Sequence, residues 1–172
     1  MLDNLKKYKV VLASNSPRRK ELLAGLGIDY EVKTLPDIDE SFPGGLSEVE
    51  TATYIARAKA DVYRNIMQSD ELIITADTIV WLDGEVMGKP VDEEDARRML
   101  RALSGKTHQV ITGVCLMTID SQKAFATVTD VTFCHLSEEE IDYYVERYRP
   151  MDKAGSYGIQ EWIGFVGVES IS

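Results

Sequence analysis

The sequence predicts an α/β or α+β fold around a mixed sheet, and two observations carry that expectation. Strand signals alternate with well-capped helices through the first half of the chain, the pattern of strand–helix units. A long antiparallel hairpin follows, which a clean doubly wound parallel sheet does not accommodate. The 172 residues suffice for one domain, or a domain with a small lobe, and can bury a proper core.

Residues 9–13 read as a short buried strand. In the next helix Ser16 is a good N-cap, Pro17 fits the first helical position, Leu22, Leu23 and Leu26 form an apolar stripe, and Gly27 is the stop. A second strand at about 30–34 leads into the polar loop 36–45. Ser47 and Glu50 form a capping-box pattern for a helix to about Ile66. Residues 71–77 start as a buried strand that continues extended to Leu82, where Asp83-Gly84 is a hairpin turn signal. Asp92 caps a helix to Leu103, which Ser104-Gly105 ends. Residues 108–120 and 123–136 are two long strands joined by a tight turn. Ser137 and Glu140 make another capping box, for a helix stopping before Pro150. The Gly-rich tail, 154–172, is expected to be extended in parts.

Composition narrows the function. Hydrophobic residues are 44% and charged residues 28%, an ordinary globular balance. No apolar run approaches the roughly 20 residues that span a bilayer, and the run after the N-terminal lysines is too short for a signal peptide, so a cytoplasmic protein is expected. The net charge of −10 disfavours a nucleic-acid binder, whose phosphate backbone an acidic surface repels. Positive charge is nonetheless gathered at Arg18, Arg19 and Lys20, which suits a small anionic ligand in a pocket. Cys115 and Cys134 lack metal-ligand spacing and are expected to be buried free thiols.

Five constellations carry chemistry. Ser14 to Arg19 joins a strand end to a helix N-terminus, where unpaired N–H groups, hydroxyls and guanidiniums suit phosphate oxygens; the alternative is a capped helix with solvated arginines. Asp39 and Glu40, with Asp37, are loop carboxylates that can hold magnesium or simply form an acidic turn. Asp77 follows an apolar strand, where sheets of this kind place ligands, and can activate water or share a metal. Lys89, in Gly88-Lys89-Pro90, can neutralise phosphate charge or lie exposed, and Lys59 is equally open. Residues 152–160 combine small residues that allow close backbone approach with Gln160, which can donate and accept as base reading requires. Trp81, Trp162, Tyr143, Tyr144 and Tyr148 read as packing residues. His108 and His135 form no triad or zinc pattern, so no covalent nucleophile is indicated.

Taken in order, the strings LASNSPRRKELL, DIDES, AxxKA, TADTIV, GKP, LSGKTHxVITGV and DKAGSYGIQ resemble the Maf family of nucleotide pyrophosphatases over nearly the whole chain. The resemblance implies hydrolysis of a nucleoside triphosphate to the monophosphate and pyrophosphate with a divalent metal, magnesium or manganese. It implies one domain over 1–172 with a long mixed twisted sheet, flanking helices and two lobes around a cleft, similar to inosine triphosphate pyrophosphatases. By motif, Asp77 matches the proton acceptor, and Arg18, Thr78 and Gln160 match the positions that set base specificity. Ser14, Arg19, Lys59, Lys89 and Lys153 would contact phosphate, and Glu40 with Asp77 the metal. SPRR, TADT and GIQ resemble the subfamily acting on dTTP and UTP rather than the one favouring 7-methyl-GTP. A small-molecule triphosphate is the expected partner, with no nucleic acid and no membrane, and the resemblance suggests a homodimer. Two alternatives stay open: turnover of modified nucleotides, and a nucleotide-sensing regulator of septum formation. Family members commonly continue with a further strand and helix, carrying an asparagine and a Gly-Leu-Pro turn, that this sequence does not contain.

Overall fold

The computed structural model describes residues 2–172. Its strands are β1 (Lys9–Leu12), β2 (Tyr30–Val32), β3 (Glu71–Leu82), β4 (Glu85–Met87), β5 (Thr107–Met117), β6 (Gln122–Phe133) and β7 (Val168–Ile171). They form one mixed sheet in the order β2-β1-β3-β5-β6-β7, with β4 paired to β3. β1 lies parallel to both β2 and β3, whereas β4 and β7 are antiparallel to their partners. The helices are α1 (Pro17–Gly25), α2 (Glu48–Tyr63), α3 (Glu93–Leu103), α4 (Glu138–Tyr148) and α5 (Trp162–Val166). Mixed α/β architecture with a long sheet is therefore what the chain adopts.

The helix signals act where the sequence places them, because caps are local chemistry. The side chains of Ser16 and Asp92 accept from Arg19 and Asp95 N–H, and both capping boxes, Ser47–Glu50 and Ser137–Glu140, are closed in both directions. Asp83 and Gly84 both take positive φ, as a two-residue hairpin of the favoured hand requires. Three details differ from expectation. The stripe of α1 is not buried: no residue of that helix is, and Leu22 and Leu26 are exposed. The helix is tied instead by polar contacts, among them the Tyr30 hydroxyl donating to the Lys20 carbonyl at 2.9 Å. The tail contains a short helix, α5, that its glycines concealed. Of the two free thiols, Cys115 is buried and Cys134 only partly so.

The chain folds as two compact units: one reaches to Asp77 and includes Thr112–Thr127, the other comprises Thr78–Ile111 and Val128–Ser172. In the first, Val11, Ala56, Ala60, Tyr63, Ile73, Cys115 and Met117 form the core. Alanines 52, 56 and 60 recur at helical spacing on α2 and let its backbone approach the sheet closely. The approach is so close that a Cβ on Gly113 would lie 2.3 Å from the Ala52 carbonyl oxygen. The Thr75 hydroxyl adds a buried hydrogen bond to the Ala56 carbonyl at 2.6 Å.

The second unit is built on Leu100, Leu103, Phe133, Ile141, Tyr144 and Ile163 among others, each of which gains about 1.5–3 kcal/mol from burial in the aliphatic and Phe cases. His108 lies fully inside it, edge-on to Phe133 and Tyr157, with Nε2 2.6 Å from the Tyr157 hydroxyl and Nδ1 without a hydrogen-bond partner among the described residues. Burial lowers its pKa from 6.5 to about 4.

Two stability predictions follow from these cores. Replacing Gly113 by Ala forces α2 off β5 and should cost about 1–3 kcal/mol in a urea melt; an unchanged midpoint would contradict the close seating. His108 binds its proton more readily unfolded than folded, so stability rises with pH between about 4 and 6.5 and is lost on acidification through that window. The difference in unfolding free energy between pH 7 and pH 5 should shrink in His108→Gln, by up to roughly 2 kcal/mol; equal pH slopes in the two proteins would refute it.

Candidate active site

The pairing of β1 with β3 ends at Leu12 opposite Ile74, and the last shared contact is Ala13 N–H donating to the Ile74 carbonyl at 2.9 Å. The chain then leaves the sheet as Ser14 and Asn15 and turns into α1. Ser14 is buried, and its hydroxyl accepts from Ser16 N–H at 3.1 Å, which shapes the turn. β3 runs on, so Asp77 sits within a twelve-residue strand, just past its parallel neighbour, rather than at a strand end. Arg19 fills the place β1 vacates, donating from Nη1 to the Ala76 carbonyl at 2.7 Å.

Lys59 comes from the middle of α2, one turn before Tyr63. Its ammonium lies 2.8 Å from Glu40 Oε1 and 3.1 Å from Asp77 Oδ1, with the Lys59 and Asp77 side chains each only 14% exposed. Burial raises the Asp77 pKa above its ordinary value, opposed by Lys59 and Arg19 and reinforced by Glu40. Burial likewise lowers that of Arg19, against the fields of Asp77 and Glu40. Asp77 and Lys59, mostly withdrawn from water, thus share a corner with Arg19 and the half-exposed Glu40, opposite charges compensating one another.

Beside this corner is a cavity of about 320 Å³, lined by Ser14, Asn15, Arg19, Thr34, Glu40, Lys59 and Tyr63 among others. That volume lies at the small end of ligand pockets. Its wall is fixed by the buried Tyr63, whose hydroxyl accepts from Leu35 N–H at 3.1 Å and donates to the Lys33 carbonyl at 3.2 Å. Of the three loop acids, Asp39 turns back to accept from Ser41 N–H, which lowers its pKa, and Glu40 alone reaches Lys59. Among the described residues no group of three or more His, Cys, Asp or Glu is arranged to hold a metal. Glu40 and Asp77 are two carboxylates bridged by one ammonium, and one or two carboxylates are what magnesium commonly takes from a protein together with substrate phosphates.

Five of the residues singled out in the sequence therefore converge in the first unit: Ser14, Arg19, Glu40, Lys59 and Asp77. Arg18 is exposed on the first turn of α1 and is not among the cavity-lining residues. Thr78, Lys89, Lys153 and Gln160 belong to the second unit. There Gly155, at φ 67° and with no room for a Cβ against Val80, donates its N–H to the Gly88 carbonyl at 3.1 Å, tying the Lys153 loop to the segment that carries Lys89. Tyr63 and Thr34 were not anticipated. For Tyr63 a signal existed, since it stands four residues after Lys59 and so on the same helix face.

The Maf-like protein family model matches residues 9–172. The chain belongs to the Maf family. Proteins named dTTP/UTP pyrophosphatase are 70% identical in Phocaeicola vulgatus and 66% in Bacteroides thetaiotaomicron, each over all of this chain and 89% of the relative. The one from Porphyromonas gingivalis strain W83 is 60% identical over 99% of this chain and 87% of its own length. Among solved structures, a nucleoside-triphosphatase / dITP/XTP pyrophosphatase from Mycobacterium abscessus aligns with a TM-score of 0.46 at 15% identity, covering 82% of this chain and 95% of that one. A HAM1 protein from Coxiella burnetii aligns with the same score at 20% identity, covering 73% of each chain.

The Tyr63 hydroxyl serves two backbone groups of the cavity wall at once. Tyr63→Phe should therefore leave a part-buried N–H and carbonyl unserved and lower stability by about 0.5–1.5 kcal/mol. Amide hydrogen exchange should quicken at Leu35 while α2 stays protected; exchange unchanged at Leu35 would count against the wall being held this way.

Proposed function

We propose that this Maf-family chain is a hydrolase that converts dTTP and UTP to the nucleoside monophosphate and pyrophosphate. The high identity to relatives of that name supports the substrate class, and the site favours the chemistry. The observation that carries the chemistry is the Asp77 carboxylate, mostly withdrawn from water and held by Lys59, which with Glu40 and Arg19 lines a polar cavity.

Asp77 acts as the general base. It takes a proton from water as the water oxygen forms its bond to the α-phosphorus. The bond from that phosphorus to the bridging oxygen breaks, and pyrophosphate leaves with the electron pair. Burial raises the proton affinity of Asp77 above that of an exposed aspartate, which improves it as a proton acceptor. Lys59 and Arg19 are already desolvated, so they stabilise charge building on the phosphates with little solvent reorganisation. Glu40 and Asp77 would hold a magnesium or manganese ion, which supplies Lewis-acid polarisation of the phosphate oxygens. On the motif match, Ser14, Lys89 and Lys153 serve the polyphosphate, and Arg18, Thr78 and Gln160 select the base. A cytoplasmic location suits this substrate; no helix among the described residues is long and apolar enough to cross a membrane.

Asp77→Asn keeps the shape but cannot accept the proton, and kcat should fall by roughly 10²–10⁴-fold with an unchanged circular-dichroism spectrum. Near-normal turnover would remove Asp77 from this role. A turnover panel of dTTP, UTP, CTP, GTP, ITP and methylated nucleotides, read by pyrophosphate release, tests the substrate. Chelation should abolish release, and either magnesium or manganese should restore it. Activity persisting in chelator, or a preference for ITP or methylated nucleotides, would overturn the respective part of the proposal.

A further inference from the structure

Within the second unit the loop carrying Lys153 and Gln160 is held by Tyr144, which the sequence marks only as a packing residue, and by Glu161, to which it assigns no role. Tyr144 of α4 is wholly buried. Its hydroxyl accepts from Gly158 N–H at 3.0 Å and donates to Glu161 Oε2 at 3.0 Å. The other oxygen of that carboxylate, Oε1, is 3.1 Å from the Lys153 ammonium, which also lies 3.0 Å from Asp152 Oδ1. The Glu161 N–H donates to the Gly158 carbonyl at 2.9 Å, closing a turn with Gln160 in its third position.

Three features tie the arrangement to that turn. Glu161 is the N-cap residue of α5, yet its side chain makes no capping hydrogen bond. Its carboxylate is directed instead to Tyr144 and Lys153. A Cβ on Gly158 would come within 2.7 Å of Glu161 Oε1 and 3.1 Å of Lys153 Cε, so the ion pair lies directly over the turn. On the far side, Gly164 N–H donates to the Glu161 carbonyl, and a Cβ there would lie 1.7 Å from the Ile159 carbonyl oxygen. The backbone from which Gln160 projects is therefore gripped from both sides. Burial also raises the Tyr144 pKa, and the Glu161 charge raises it further, so the hydroxyl keeps the proton it donates.

We propose that Glu161, with Tyr144, is a positioning residue for base selection: it fixes the turn that presents Gln160 and the ammonium of Lys153. The inference rests on the reading that Gln160 helps to choose the base. Mispositioning a recognition group by a fraction of its hydrogen-bond length weakens recognition without removing the chemistry, so the loss should appear in KM and not in kcat.

The test compares Gln160→Ala, Glu161→Ala, Tyr144→Phe and the double variant Gln160→Ala/Glu161→Ala on dTTP, UTP and CTP, with magnesium present and folding checked by thermal melts. Glu161→Gln replaces Glu161→Ala if the latter does not fold. Glu161→Ala and Tyr144→Phe should each lower the kcat/KM preference for dTTP over CTP about tenfold, the scale of one lost hydrogen bond, chiefly through KM for dTTP. The double variant should be no less selective than Gln160→Ala alone, because residues acting as one unit are not additive. If Gln160→Ala lowers the preference while Glu161→Ala and Tyr144→Phe keep it, or if the losses add, the positioning role is overturned and the reading of Gln160 stands. If Gln160→Ala itself keeps the preference, that reading fails and the inference falls with it.

Discussion

The seating of α2 on the sheet is the constraint on which the candidate site depends. Alanine at every fourth position, glycine at 113 and the Thr75 hydrogen bond together bring a helix backbone close to β3 and β5. Only at that separation does a lysine in mid-helix reach a carboxylate in mid-strand. The same seating buries Tyr63 one turn later, and its hydroxyl then holds the loop that leads to Glu40. One packing decision thus delivers a cation, a carboxylate partner and a cavity wall. The alanines of α2 and Gly113 are small because close approach needs the absence of side-chain bulk.

Electrostatics explain why these groups can be dehydrated at all. Unit charges about 4 Å apart interact by about 4 kcal/mol at an effective dielectric of 20, comparable to the cost of withdrawing one of them from water. Asp77 and Glu40 face Lys59 and Arg19, so the corner is close to neutral although the chain carries −10 overall. Removing any one member leaves another uncompensated in a site where water is scarce. The acidic remainder of the surface does not enter this balance, since exposed charges beyond about 10 Å are screened by salt.

What the sequence revealed follows the range of the interactions involved. Caps, hairpin turn and strand–helix order were legible because each is decided within a few residues: Ser47 and Glu50 satisfy one another wherever the rest of the chain goes. Asp77, Arg19, Glu40 and Lys59 could be named as candidates, but local pattern left each open and the motif order brought them forward. Their mutual contacts were hidden, because Lys59 meets Glu40 nineteen residues away only through the packing of α2. The apolar stripe on α1 shows the reverse failure. Leu22 and Leu26 look like core residues by spacing, yet burial is a property of what faces a helix, and periodicity says nothing of that. α5 was hidden because Gly164 and Gly167 read as breakers, whereas each is glycine to make room for a carbonyl, of Ile159 and Ile163 respectively. Tyr144 was correctly read as a packing residue from its helical position; that its hydroxyl also serves Gly158 and Glu161 depends on a loop fourteen residues downstream.

Two of the lysines assigned to polyphosphate are already engaged by carboxylates: Lys59 by Glu40 and Asp77, Lys153 by Asp152 and Glu161. A phosphate that bound to either lysine, as the proposal has it, would exchange one set of anionic partners for another and would not meet bare charge. The net gain per contact is correspondingly small, since the ion pairs broken offset those formed. For a pyrophosphatase this is an advantage. Bare cations would hold the released pyrophosphate as firmly as the substrate, and uniform binding of that kind lowers KM without raising kcat. Paired cations keep ground-state binding modest and leave the stronger interaction for the moment when charge accumulates on the departing phosphates. In the proposed reaction Asp77 also takes up a proton at that moment and loses its claim on Lys59. The ammonium would then be freed toward the phosphate by the same step that generates the nucleophile, so on that proposal the shared lysine couples water activation to stabilisation of the leaving group.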